Sequence, residues 1–461
     1  MQAHMLVGVF VFTAAIFVGF AGVPAPGVAD EYDEVLKSCE QSLAEAGEIV
    51  SSVGKTGRRA ASTSSLTEYE RTQEGVRDLM SAAEEKCRQV IQNCEAELGA
   101  FPAVVGPDEE SERTKQRTGL RLNLIQAKLM LAMQARLAGE LAFDDGFRRI
   151  RRYAAAAARF AGVAEEHRAR LAGLYAAAKA AECYRLAGMT EQARESLEPL
   201  FDLPDDVPQF ALLRLKAMAE RAEMGDATRD GAFLADARAR LRQAPRAERE
   251  SGDFARLAIR VADAIRRLPG ATSEDLAEAQ RWAREAIRVF GGHQAEAVSV
   301  ILEITPRVKQ EDAARQLTPY PADFDEALAA LEIVFRQYRD DAAAAQRWWQ
   351  RIQRLQQGEK TDVAGLTPAT ALKALRRIQK RQRHLLADAR RILEAAEPPA
   401  DVRDDRFLQW EYYRAYALFG GGDAKQAKRI AEGVAAQAGR PRLAEAAQAL
   451  SDEIDAAALK P

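Results

Sequence analysis

Apolar residues recur at intervals of three and four positions along most of the chain, the spacing that gathers them on one stripe of an α-helix. Each stripe ends at Gly, Pro or an Asp-rich turn. Together these signals predict helices over 31–52, 66–98, 119–142, 146–163, 167–187, 190–202, 208–224, 230–243, 252–268, 273–290, 293–304, 323–338, 341–357, 367–396, 404–419, 423–437 and 440–457. No long alternating run of the kind that makes a strand interrupts them. A helix-loop-helix series of this length exceeds one bundle and fits an α-solenoid of stacked hairpins.

Residues 5–23 break the pattern, because they carry no charge and are apolar all round until Pro24 and Pro26 stop them. An apolar core, a helix break and the small residues Gly27-Val28-Ala29 ahead of Asp30 form the layout of a secretory signal. Residues 1–29 are therefore expected to be removed on export to the periplasm or the extracellular space. The alternative is an uncleaved membrane anchor, since about 18 apolar residues can span a bilayer. The Pro, Gly and charged residues of 101–118 mark an internal linker, which separates an N-terminal helical hairpin (30–100) from a helical body (119–461).

Composition agrees with an all-α chain: Ala is about a fifth of the residues, and aromatics are only 7%. A formal net charge of −3 argues against bulk nucleic-acid binding, which needs a strong cationic field.

Export also changes the expectation for Cys39, Cys87, Cys94 and Cys183, because disulfides persist in oxidising compartments. Cys87 and Cys94 lie seven residues apart in one predicted helix, about 10.5 Å along the axis, too far to bridge. The antiparallel hairpin favours a Cys39 to Cys87 pairing, the alternative being four small buried hydrophobes.

The segment from Leu174, LYAAAKAAECYRLAGMTEQARESLEPLFDLPDD, places Gly188 in a turn, Ala193 five residues later and Pro204 after the second helix. A second segment from Leu408, LQWEYYRAYALFGGGDAKQAKRIAEGVAAQAGRP, places Gly422, Ala427 and Pro441 in the same way. Half-matches lie at 323–338 and 276–290. These segments resemble the tetratricopeptide repeat, a 34-residue helical hairpin. The resemblance covers about a quarter to a third of the chain, and no regular register extends across 144–170 or 341–400. It implies a right-handed superhelix whose first helices line a concave groove. Carried onto these segments, the groove positions are Tyr175, Ala178, Glu182 and Arg185 in the first, and Gln409, Tyr412, Tyr416 and Phe419 in the second. The aromatics among them either grip a peptide or form core against a neighbouring hairpin.

Signatures of other chemistry are weak. Lys55-Thr56 follows Gly54, but Gly47 is too far upstream for a phosphate loop, so 51–65 is expected to be a flexible hairpin loop. His4, His167, His293 and His384 share no ligand spacing, and no cofactor or metal site is expected. Close carboxylate pairs such as Glu109-Glu110, Asp205-Asp206 and Asp404-Asp405 occupy linkers or helix starts, where acids complement the helix dipole. Two basic clusters, Arg148 to Arg152 and Arg376 to His384, are either solvated helix faces or docking surfaces for an anionic partner.

The expectation is thus a non-catalytic, exported scaffold or peptide-binding adaptor of the cell envelope, with a protein or peptide partner. It has no nucleic-acid partner, and touches a membrane through residues 5–23 only if they stay uncleaved. The alternatives are a glycan-active enzyme on an α/α-toroid, using Trp348, Trp349, Trp410 and nearby acids, and a membrane-tethered structural protein.

Overall fold

A computed structural model describes residues 31–100, 110–142, 146–204, 206–304, 319–363, 365–399, 401 and 404–458. The described residues form helices and connecting turns, with no strand among them. Residues 1–29, expected to be a secretory signal, lie outside the described residues.

The chain divides into two compact units, one running to Met224 and including Lys360–Gly365, the other holding Gly225–Glu359 and Leu366–Pro461. In the first unit the helices are α1 (Glu31–Ser62), α2 (Leu66–Ala100), α3 (Glu110–Leu141), α4 (Gly146–Glu166), α5 (Leu171–Leu186), α6 (Thr190–Phe201) and α7 (Pro208–Glu223). The second unit holds α8 (Asp226–Arg229), α9 (Gly231–Gln243), α10 (Arg246–Arg249), α11 (Gly252–Arg267), α12 (Ser273–Arg288) and α13 (Gln294–Ile304). It continues with α14 (Phe324–Gln356), α15 (Pro368–Ala395), α16 (Asp405–Gly420), α17 (Ala424–Gln437) and α18 (Pro441–Ala458). Within each unit, helices adjacent in sequence are mostly adjacent in space. The all-α expectation holds, and most helix boundaries fall within two residues of those the periodicity predicts.

Start signals are chemical. Asp230, Ser251, Thr272, Asp323, Thr367, Asp404 and Asp423 each accept a backbone N–H from the first turn that follows. Both repeat-like segments turn alike. After α5, Gly188 (φ 80°) donates to the Arg185 carbonyl and Met189 to that of Tyr184. After α16, Gly422 (φ 94°) donates to Phe419 and Asp423 to Leu418. A left-handed residue closing two such bonds lets the chain reverse without stranding the last carbonyls, and Gly takes that conformation at no steric cost. Ala193 and Ala427, early in the second helices, are fully buried, as are Ala180 and Ala415 in the first.

Three expectations are corrected. The loop placed at 51–65 is mostly helix, because α1 continues to Ser62 through Gly54-Lys55-Thr56. Val53 and Ala60 are buried there, and Gly57 makes room for Leu141 of α3, whose side chain would meet a Cβ at 2.1 Å. Packing against α3 thus outweighs the low helix propensity of the glycines. The linker at 101–118 is shorter than expected, since α3 begins at Glu110. Leu120, Ala127, Met130 and Leu137 of α3 join Leu43, Val50 and Val90 of α1 and α2 in one core. Finally, 323–338 and 341–357 are a single helix, α14. Asp341 does not end it, because its carboxylate is only 1% exposed and accepts from Arg381 of α15, which removes the need for a turn.

Candidate functional site

Two charged arrangements, one in each unit, carry most of the polar chemistry. In the first unit, Glu182 of α5 sits among three cations. It accepts from Arg136 of α3 at 2.7 Å, from Lys179 at 3.0 Å and from Lys216 of α7 at 2.9 Å. Arg185 donates at 2.7 Å to Glu220, which is fully buried. Lys179 and Lys216 are also buried. Burial pushes the Lys179 ammonium down to about 8; Glu182 opposes the fall, while Lys216 and Arg136 deepen it. Burial also acts against the Arg136 charge, but Glu182 and Glu140 outweigh it and hold the guanidinium protonated.

Two of the expected groove positions, Glu182 and Arg185, therefore come together, but their charges are satisfied by neighbouring helices. Tyr175 is half-buried with the Lys179 ammonium 5.9 Å from its ring centre, and Ala178 is buried. Lys179 and Lys216 were not anticipated. The signal was a charge interrupting an alanine-rich stripe, as in Ala176 to Ala181.

The expected groove aromatics of α16 sit mostly in core. Tyr413 stacks on Phe335 of α14 with ring centres 5.2 Å apart, and Tyr416 lies 5.3 Å from Phe335 and 5.7 Å from Tyr338. Tyr412 is buried against Tyr413 and Tyr416, and burial raises the hydroxyl pKa of all three tyrosines. Gln409 donates to the Tyr413 hydroxyl at 3.4 Å, and Phe419 is half-buried. The peptide-gripping alternative for Tyr412 and Tyr416 thus loses to core packing: α14 runs on unbroken and presents Phe335 and Tyr338 to α16.

In the second unit, arginines on one helix reach carboxylates about one hairpin later. Arg242 pairs with Glu278 at 3.0 Å, Arg249 with Glu285 at 3.2 Å, Arg260 with Glu296 at 2.5 Å and Arg284 with Glu326 at 2.7 Å. Arg238 bridges Asp275 and Glu278. Burial works against the Glu278 charge, yet hydrogen bonds from Arg238, Arg242 and the Trp282 indole hold its pKa below the usual carboxylate range.

Beside this ladder lies a cavity of about 640 Å³, lined by Arg242 of α9 and, along α12, by Glu274, Ala277, Glu278, Gln280, Arg281, Arg284, Glu285 and Arg288. Its four guanidinium groups outnumber its three carboxylates. Arg281 and Arg288 are exposed, and neither is in an ion pair among the described residues. Arg281 lies over the Trp282 ring at 5.1 Å. Sequence reasoning missed this cavity, although arginines two turns apart on one predicted helix were visible.

The basic clusters are largely solvated. On α4, Arg148, Arg149, Arg151 and Arg152 are exposed with Phe147 (73%) and Ile150. On α15, Arg376, Arg377, Lys380 and Arg383 face solvent, whereas Leu375, Leu385 and Leu386 are buried. Among the described residues no three His, Cys, Asp or Glu side chains converge as a metal-binding group, and no helix is long and apolar enough to cross a membrane. Asp404 caps α16, accepting from the Arg406 N–H at 2.8 Å, which is the helix-start role expected of such acids. Glu109 and Asp205 lie outside the described residues.

The four cysteines are all buried. Cys39 does not meet Cys87 as expected: its sulfur lies 3.7 Å from that of Cys94, while Cys87 accepts from Gln134 of α3 at 3.6 Å. The hairpin register explains the difference. Lys86 pairs with Glu45, so in the antiparallel hairpin Cys87 lies at the level of a residue five positions beyond Cys39, about 7.5 Å along the axis.

No protein-family model matches the chain, and no curated protein matches it.

Proposed function

We propose that the protein is an exported, non-catalytic scaffold of the cell envelope, a TPR-like α-solenoid that presents a charged groove to a protein or peptide partner. Three features support the stacked-hairpin part of this reading: the identical glycine turns after α5 and α16, the buried alanines beside them, and ion pairs joining residues 34 to 46 positions apart. That separation is close to the length of one helical-hairpin repeat. Export rests on the layout of residues 1–29, with an uncleaved anchor as the alternative.

The observation that carries the binding reading is the arginine-rich cavity along α12. Arg281 and Arg288 stand two turns apart, about 10.5 Å along the axis, close to the span of three residues of polyproline-II chain, in which every third side chain returns to the same face. A partner segment with carboxylates three residues apart can therefore meet both guanidinium groups at once. Each such exposed contact is worth about 0.5–1 kcal/mol, so the pair contributes about 5- to 30-fold in affinity.

Fluorescence anisotropy with a labelled peptide carrying glutamates three residues apart tests this, against the same peptide with glutamines. The glutamate peptide should bind more tightly, lose affinity as salt rises, and lose about 5- to 30-fold on Arg281→Gln/Arg288→Gln. Equal binding of the two peptides would overturn the proposal.

A further inference from the structure

We infer that Cys39 and Cys94 form a disulfide that ties α1 to α2, and that Cys87 and Cys183 remain thiols. The bond is a different one from the pairing that chain reversal alone suggests, and it stands independently of the peptide-binding proposal.

Among the described residues, Cys39 and Cys94 are the cysteines whose sulfurs meet, at 3.7 Å across the hairpin. Both side chains point into the core shared with Leu43, Val90 and Leu120, and they are 1% and 0% exposed. A disulfide needs the sulfurs at about 2.05 Å, so side-chain rotation with a small helix shift closes the remaining gap. The other cysteines are occupied elsewhere. Cys87 lies against Gln134, and Cys183 belongs to a separate core cluster with Phe160 and Ala180.

The reaction is thiol–disulfide exchange with a small-molecule or oxidoreductase disulfide. The Cys39 and Cys94 S–H bonds break, one S–S bond forms, and the two electrons and two protons reduce the reagent disulfide to two thiols. Burial raises both thiols, Cys94 up to about 12, so few thiolates exist in the finished fold at neutral pH. Exchange is therefore fast only while the hairpin is still uncovered, before α3 packs on it. The same burial then shields the bond from reductants. The loop it closes spans 55 positions, long enough for a sizeable reduction in the freedom of the unfolded chain.

The test is to refold the full chain with a mixture of oxidised and reduced glutathione, denature it, alkylate the free thiols and map the peptides without and with reduction. Two thiols should be alkylated, at Cys87 and Cys183, and a peptide joining Cys39 to Cys94 should disappear on reduction. The oxidised protein should melt at a higher temperature than the reduced one, a difference kept in Cys87→Ser/Cys183→Ser and lost in Cys39→Ser. Four alkylated thiols, or a cross-linked peptide containing Cys87, would overturn the inference.

Discussion

Replacing Lys179 with methionine should stabilise the protein at neutral pH, because it removes a buried ammonium and keeps most of the apolar stem. Lys179 is only 9% exposed, and burial, with Lys216 and Arg136 close by, lowers its pKa from 10.5 to about 8 against the pull of Glu182. At 1.36 kcal/mol per pH unit this is a cost of about 3 kcal/mol for holding the proton in the fold. The sign follows from the direction of the shift. Because the folded pKa lies below the unfolded one, the cost is fully present below about pH 8. It fades as the pH rises towards 10.5, where the unfolded chain also gives up the proton. Lys179→Met should therefore gain about 1–3 kcal/mol at pH 7, the lower figure allowing for the lost contact with Glu182, and little or nothing at pH 10. Glu182→Gln should do the reverse, costing about 3–5 kcal/mol, because Arg136, Lys179 and Lys216 would then face one another without an anion. Urea unfolding followed by far-ultraviolet circular dichroism at both pH values measures these differences, and groups common to variant and wild type cancel. A destabilised Lys179→Met at pH 7, or a difference that does not change with pH, would refute the reasoning.

Other substitutions probe the packing. A Cβ at Gly173 would lie 2.1 Å from the His167 carbonyl oxygen, a backbone atom that cannot swing away, so Gly173→Ala should cost about 1–3 kcal/mol in urea unfolding. Phe335→Ala removes the ring on which Tyr413 stacks and should cost about 3–5 kcal/mol; a variant of unchanged stability would mean that the aromatics of α14 and α16 are not core.

Much of the fold was legible because helix signals are local. Apolar spacing, a capping Asp, Ser or Thr, and a glycine after the last turn all act within one or two turns of the chain, and they placed α9, α11, α13 and α15 within a residue or two. The same locality explains the misses. Gly57 reads as part of a loop until Leu141, more than eighty positions away, covers it, and Asp340-Asp341 read as a stop until Arg381 neutralises the second acid. Of the candidate site, Glu182 and Arg185 were reached only as groove positions implied by the repeat resemblance, and the side chains that satisfy them on α3 and α7 were not.

The sequence by itself determined an all-α chain, the ends of most helices, the two glycine turns and the small residues buried beside them, because neighbouring residues along the chain set each of these. Only the tertiary structure decided which sulfur faces Cys39, that Tyr413 and Tyr416 pack on Phe335 with Tyr412 against both tyrosines, and that Arg281 and Arg288 share a cavity with Arg242. Those outcomes depend on the register of one helix against another. Register is set by the sum of many contacts across the interface, and a shift of five residues along a helix, about 7.5 Å, is enough to exchange one partner for another.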